Sequence, residues 1–206
     1  MRSLSVIQAF GATAIASLAF SGSSFAQAIN QINFTFAMVA PSGAEPCIPA
    51  AKGRVTITHS LTLVENMHVE VTGLPKNTDF DLFVIQVPNF PFGLSWYMGD
   101  MLTDGNGKAV GDFVGRFNIG TFMVALGSAP APVVLADPPF PDASTNPATP
   151  PVQLYHLGLW FDSPADAAKA GCGSNVTPFN SNHNAGVQIL NTSNFAKNGP
   201  LFFVRR

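Results

Sequence analysis

The chain has 206 residues, a formal net charge of −2, only 11% charged residues, and 47% hydrophobic residues including 18 Phe. So small a charge, carried by scattered Lys and Arg, leaves no electrostatic footprint for nucleic acid or an anionic membrane surface. So apolar a composition excludes disorder over most of the length and requires a large core, with Ser, Thr, Asn and Gln supplying much of the polar surface.

The first 28 residues have the three parts of a cleavable signal peptide in the right order. Arg2 gives the positive start, residues 6–20 are apolar or small with only Gln8, Thr13 and Ser17 interrupting, and Ala26-Gln27-Ala28 meets the small-x-small rule for cleavage after Ala28. The apolar stretch is shorter than the roughly 20 residues that cross a bilayer. Later apolar runs are broken by Pro, Gly or Asp, so no membrane span is expected. The reading is a secreted or periplasmic protein whose residues 29–206 form one domain. Its two cysteines, Cys47 and Cys172, are then expected to be bridged, because export places an even pair in an oxidising compartment.

Period-two alternation follows, the mark of half-buried strands. In residues 55–63, Val55, Ile57, His59, Leu61 and Leu63 share one face. Glu65-Asn66 reads as a turn, and Met67, Val69 and Val71 alternate with His68, Glu70 and Thr72. After Gly73-Leu74-Pro75 comes an apolar strand at 80–87. Asp104-Gly105-Asn106-Gly107 carries the residues that accept positive φ, and is expected to join 94–102 to 109–117 as a hairpin. Residues 121–126 are expected to continue the sheet. Eight of the chain's 17 prolines fall in 128–151, a long surface excursion through which no central strand can run.

Residues 154–161 are apolar on both faces, as suits a central strand. Ser163-Pro164-Ala165-Asp166-Ala167-Ala168-Lys169-Ala170-Gly171 has a cap, a first-turn proline, an alanine middle and a terminal glycine, and predicts one short helix. Residues 186–191 and 201–204 read as closing strands. The fold expected is an all-β, Ig-like antiparallel sandwich with one short helix, a jelly roll or barrel being the alternative.

Several segments taken together, Pro91-Phe92-Gly93-Leu94-Ser95-Trp96-Tyr97, Gly115-Arg116-Phe117, His156-Leu157-Gly158-Leu159-Trp160-Phe161, Ser163-Pro164-Ala165-Asp166-Ala167, Ala170-Gly171-Cys172, Thr177-Pro178-Phe179-Asn180 and His183-Asn184-Ala185-Gly186, resemble a family of exported bacterial proteins without an assigned role. The resemblance implies a bacterial source and carries over no catalytic residue. A fainter one is to copper–zinc superoxide dismutase, through the order His156, Gly171-Cys172, Phe179-Asn180 and His183. Gly158 and Pro178 stand where that family has metal-binding histidines, so its dismutase activity is expected to be missing.

Of the four histidines, His59 reads as a core residue bonded to a backbone carbonyl and His68 as solvated beside Glu70. His156 and His183 could share zinc or copper, since imidazole suits both ions. Gly158 leaves room on the face of His156 and Trp160. Asp79 and Asp81, two apart, read as a solvated strand end, and Gly93-Leu94-Ser95 lacks the second glycine of a nucleophile elbow. Phe90, Phe92, Trp96 and Tyr97, with Pro88 and Pro91, make a turn rich in flat apolar surface. The residues thus point to a non-enzymatic exported sandwich that binds a small molecule, glycan or protein through Phe92, Trp96, Tyr97 and Trp160. The competing expectation is a metal-dependent, redox-capable enzyme using His156 and His183.

Overall fold

The computed structural model describes residues 33–41, 44, 46–60, 63–124, 151–177, 184–195 and 198–205. The expected signal peptide, residues 125–150 (most of the proline-rich stretch and the end of the expected strand at 121–126), and the Pro178-to-His183 segment lie outside the described residues.

The alternating segments become β2 (Lys52–His59) and β3 (Glu65–Thr72), and a strand not expected from the sequence, β1 (Asn33–Met38), pairs with β2 to complete an antiparallel meander. Val55, Ile57, Met67, Val69 and Val71 point inward and are fully buried. Their neighbours form a polar outer face, where Thr35 bonds Thr56 and the Thr58 hydroxyl donates to Asn33. This one-sided pattern marks an antiparallel sheet with one wet face.

The second sheet has no wet face over much of its area. It contains β4 (Asp79–Ile85), β5 (Ser95–Leu102), β9 (His156–Phe161) and β10 (Gln188–Asn191), in the order β10-β9-β4-β5. Every residue of β9 and β10 is buried, as is all of β4 after Asp79. The apolar run at 154–161 is indeed an interior strand, paired with β4 on one side and β10 on the other. Phe80, Leu82, Leu157, Leu159 and Phe161 meet Val55, Ile57, Met67 and Val69 in the main core.

The expected hairpin at Asp104 is corrected. β5 pairs with β4, while β6 (Ala109–Gly115) pairs with β3 in the opposite sheet, so the turn is a crossover. Its local chemistry is as expected: Asp104 Oδ1 accepts from the N–H groups of Asn106 at 2.8 Å and Lys108 at 2.9 Å. Gly107 is required at φ 74°, because a Cβ there would sit 2.1 Å from the carbonyl oxygen of Leu74. A turn of this kind reverses the chain but does not choose the strand's partner. With β1 set aside, β2-β3-β6 faces β5-β4-β9-β10. That is the A-B-E and C′-C-F-G arrangement of an immunoglobulin-like sandwich, not a jelly roll or a closed barrel.

Three further expectations change. Glu65 and Asn66 begin β3 instead of turning; the reversal lies earlier, where the Ser60 hydroxyl donates to the Val64 carbonyl at 2.6 Å. Residues 121–126 do not extend a main sheet, since β7 (Phe122–Val124) pairs with β8 (Pro151–Gln153) in a separate two-stranded ladder. Residues 201–204 are not a strand: Pro200, which has no N–H to give a ladder, opens a 3-10 turn over Pro200–Phe203.

The predicted helix is α1 (Pro164–Lys169). The Asp166 N–H donates to Ser163 Oγ at 3.2 Å while the Ser163 hydroxyl donates back to the Asp166 carboxylate at 2.8 Å. α1 ends at Gly171, and the next residue is bridged: Cys47 and Cys172 form a disulfide with Cα atoms 5.1 Å apart. The bond ties the β1–β2 connection to the segment after β9. A second tie crosses the proline-rich stretch, where the Tyr155 hydroxyl donates to the Ile119 carbonyl at 2.7 Å.

Candidate functional site

β5 and β6 are the open edges of the two sheets on the same side of the sandwich, joined by the Asp104–Lys108 turn. Phe113 of β6 seals the seam near that turn. Its ring lies against Gly99 of β5, where a Cβ would come within 3.1 Å of it. Farther from the turn the seam opens into a cleft of about 570 Å³. Its deepest residues, Val84, Phe117 and Leu154, belong to the main core and are buried. Met98 and Met123 flank them, and Trp96, Val114 and Phe122 form an exposed apolar rim, with 57% of Trp96 accessible.

A β-bulge aims Trp96 at this cleft. The register with β4 runs Leu82↔Gly99 and then Phe83↔Tyr97, leaving Met98 as the extra residue on β5. One extra residue exchanges the faces of everything beyond it. Trp96 therefore points inward opposite Val84, and Tyr97 points outward opposite Phe83.

Arg116 also lines the cleft. Its Nη1 lies 3.9 Å from the position of a Cβ on Gly120, itself a lining residue. The Thr121 hydroxyl donates to the Arg116 carbonyl at 2.6 Å and holds the backbone there. Among the described residues the guanidinium makes no ion pair and no hydrogen bond. Among the described residues none that lines the cleft is acidic. A broader hollow of about 920 Å³ adjoins β1, but Lys52, Arg54, Glu70 and Thr72 of the solvated face line it and no exposed aromatic ring does.

The aromatic turn does not act as one patch. Phe90 is exposed, and Phe92 folds back over the outer face of the second sheet, where Phe83, Ile85, Phe92, Trp160 and Ala185 make a small second core. Trp160 is fully buried there, with the rings of Phe83 and Phe92 edge-on at 5.4 and 5.1 Å. The room expected beside Gly158 is filled by that indole: a Cβ on Gly158 would lie 2.3 Å from Trp160 Cζ3.

Acidic residues gather at one end of this outer face. Asp81, Asp100 and Asp162 bring carboxylate oxygens within 4.8 Å of one another. Asp81 is buried, not the solvated strand end expected, because β9 and β5 flank it on both sides. The Tyr97 hydroxyl donates to Asp100, and burial together with that carboxylate pushes the phenol's pKa up. Partial burial, then repulsion from Asp100, Asp162 and Asp166, raises the Asp79 carboxyl above its ordinary value. The folded protein thus holds the Asp79 proton more tightly than the unfolded chain does. The associated stability is present at low pH and is lost as pH rises through the raised pKa. Asp79→Asn is expected to raise the stability at pH 7 by less than about 1 kcal/mol for so exposed a group, seen as a higher thermal midpoint, with no difference near pH 3. Equal midpoints at both pH values would refute the repulsion.

The three described histidines, His59, His68 and His156, all lie beside protein partners. His156 is buried, and its Nδ1 lies 3.0 Å from Thr192 Oγ1, which also accepts the Leu157 N–H at 3.1 Å. His183 lies outside the described residues. His68 is not simply solvated: its Nδ1 is 2.6 Å from Asp112 of β6. His59 Nδ1 lies 3.9 Å from Glu65. Of the aromatic residues expected at a ligand, the structure puts Trp96 at the cleft, Tyr97 on the opposite face, and Phe92 and Trp160 inside a core.

Sequence reasoning missed Arg116, Met98, Met123 and Phe122. The one local signal was a charged residue between Gly115 and Phe117 at a strand end. No protein-family model and no curated protein matches the chain.

Proposed function

We propose that this is an exported, non-enzymatic binding sandwich that takes a ligand with an apolar body into the cleft between β5 and β6. The observation that carries the reading is Trp96, a large ring more than half exposed at the mouth of a cleft whose floor is the main core. Ligand sites are concave, mostly apolar and carry few polar groups, within a volume range that includes this cleft. An exposed aromatic face there provides contact area at low entropic cost. Export is supported by the signal-like N-terminus and by the disulfide, which persists in oxidising compartments. No helix among the described residues is long and apolar enough to cross a membrane.

The test uses N-phenyl-1-naphthylamine, a neutral probe that brightens in apolar surroundings. Saturable, one-site binding is expected, with energy transfer from tryptophan. Trp96→Ala should weaken it by about tenfold or more, while Tyr97→Ala, on the opposite face, leaves it unchanged. Absence of saturable binding, or loss on Tyr97→Ala alone, refutes the cleft as the site.

A further inference from the structure

We infer that the ligand is a monomeric, single-chain amphiphile with one carboxylate head, its chain in the cleft and its head on Arg116. This deepens the cleft reading and rests on it.

An apolar cleft alone would accept any apolar body of the right size. Arg116 makes this cleft asymmetric. Its backbone is held by the Thr121 hydroxyl, and its guanidinium lies near Gly120 at the rim. Gly120 places no side chain beside the guanidinium; a Cβ there would stand 3.1 Å from Asn118 Oδ1, which accepts the Gly120 N–H. An arginine beside a protein carboxylate would already be neutralised, but among the described residues Arg116 has no such partner, and no acid lines the cleft. Two of the other described cations are paired, Lys108 with Glu70 at 3.2 Å and Lys169 with Asp166 at 2.8 Å, whereas Lys52, Arg54, Lys76 and Arg205, like Arg116, make no ion pair among the described residues.

The charge at the rim is thus one positive unit in a planar fork of donors. Its complement is a single oxyanion with two acceptor oxygens, which a carboxylate offers in the matching geometry. A phosphate monoester carries close to two charges and would leave one uncompensated. Beyond the head lie Trp96, Met98, Phe117, Met123 and Leu154. Two of these are thioethers, unbranched and adaptable, which suits a flexible alkyl chain better than a rigid ring system. Apolar depth with one cation at the rim is complementary to an alkyl carboxylate along its whole length.

The experiment displaces N-phenyl-1-naphthylamine from the disulfide-intact protein with decanoate, decanol or decylammonium, each below its aggregation concentration. Decanoate is expected to compete at least about tenfold more strongly than decanol, as a charge-assisted hydrogen bond predicts, and decylammonium least well. In Arg116→Gln the advantage of decanoate should vanish while decanol is unaffected; Arg116→Lys should keep part of it. Equal competition by decanoate and decanol on the unaltered protein overturns the assignment of the head and leaves the cleft reading standing. Failure of the probe itself to bind overturns both. Co-sedimentation with anionic phosphatidylglycerol vesicles provides the remaining arm. Arg116-dependent vesicle binding without displacement by free decanoate would mean that the partner is a membrane surface, and would refute the monomeric ligand.

Discussion

Replacing Glu65 by alanine is expected to cost roughly 3–5 kcal/mol of folding stability, the range for breaking a buried, hydrogen-bonded charge network. The side chain is fully buried at the start of β3. Its Oε2 accepts the Phe117 N–H and its Oε1 the Asn118 side-chain amide, both at 2.8 Å, with His59 Nδ1 at 3.9 Å. Phe117 and Asn118 are themselves buried, so truncation strands two donors away from water, and hydrogen bonds to charged acceptors are the stronger kind. These bonds fasten the chain leaving β6 to the first residue of β3, directly behind the cleft floor at Phe117. Glu65→Gln keeps one oxygen but turns an amide toward a donor, so an intermediate loss is expected. Urea unfolding of the three proteins gives the measurement. A loss below about 1 kcal/mol for Glu65→Ala would mean that water reaches those donors and that the network does not hold the edge.

The second large effect concerns the bridge. Serine at both Cys47 and Cys172 opens a loop with a sequence separation of 125. The chain-entropy model gives about 4–5 kcal/mol for such a loop. The loss acts through the unfolded chain, which becomes more extended, so the urea m-value should rise while the midpoint falls. Glu65→Ala, by contrast, should lower the midpoint at nearly constant m, because it disturbs the folded state. If the double serine variant loses midpoint without any rise in m, the bridge acts chiefly through native packing around α1 and the β1–β2 connection. If it loses neither, the disulfide is dispensable to the fold.

What could be read in advance depended on the range of the interaction. Alternation in β2 and β3, the two-sided apolar run of β9, and the cap, proline and glycine of α1 are encoded within a few residues of each position. The all-β class and the interior place of β9 followed from them. The cysteine pair followed from chemistry and compartment. The turn at Asp104 was legible as a turn, since Asp104 and Gly107 satisfy its backbone by themselves, but its partner strands were not. Pairing β5 with β4 and β6 with β3 is a contest among edges distant in sequence, decided by which apolar faces the whole fold buries together.

The candidate site shows the same division more sharply. Trp96 and Tyr97 are adjacent and both aromatic, so by composition they belong to one patch. As neighbours on a strand they point to opposite faces, and the bulge at Met98, where the register with Leu82 and Phe83 shifts, decides that Trp96 is the one that enters the cleft. Phe92, two residues before the strand's approach, covers Trp160 because the 86–94 loop folds back, with Gln86 Oε1 accepting the Leu94 N–H. Gly158 signalled space, and only the packing of Trp160 across it shows that the space is taken. By itself the sequence determined β2, β3, β4, β9, the short helix, the Asp104 turn and the oxidised pair, because propensity and alternation are local; it misplaced the turn at Glu65-Asn66 and the strand at 201–204 and did not show β1. The tertiary structure alone decided the crossover, the bulge, the burial of Asp81 and the Arg116 guanidinium beside an apolar cleft. Each of these depends on which strand lies next to which, and a one-residue change in register exchanges the two faces of a sheet.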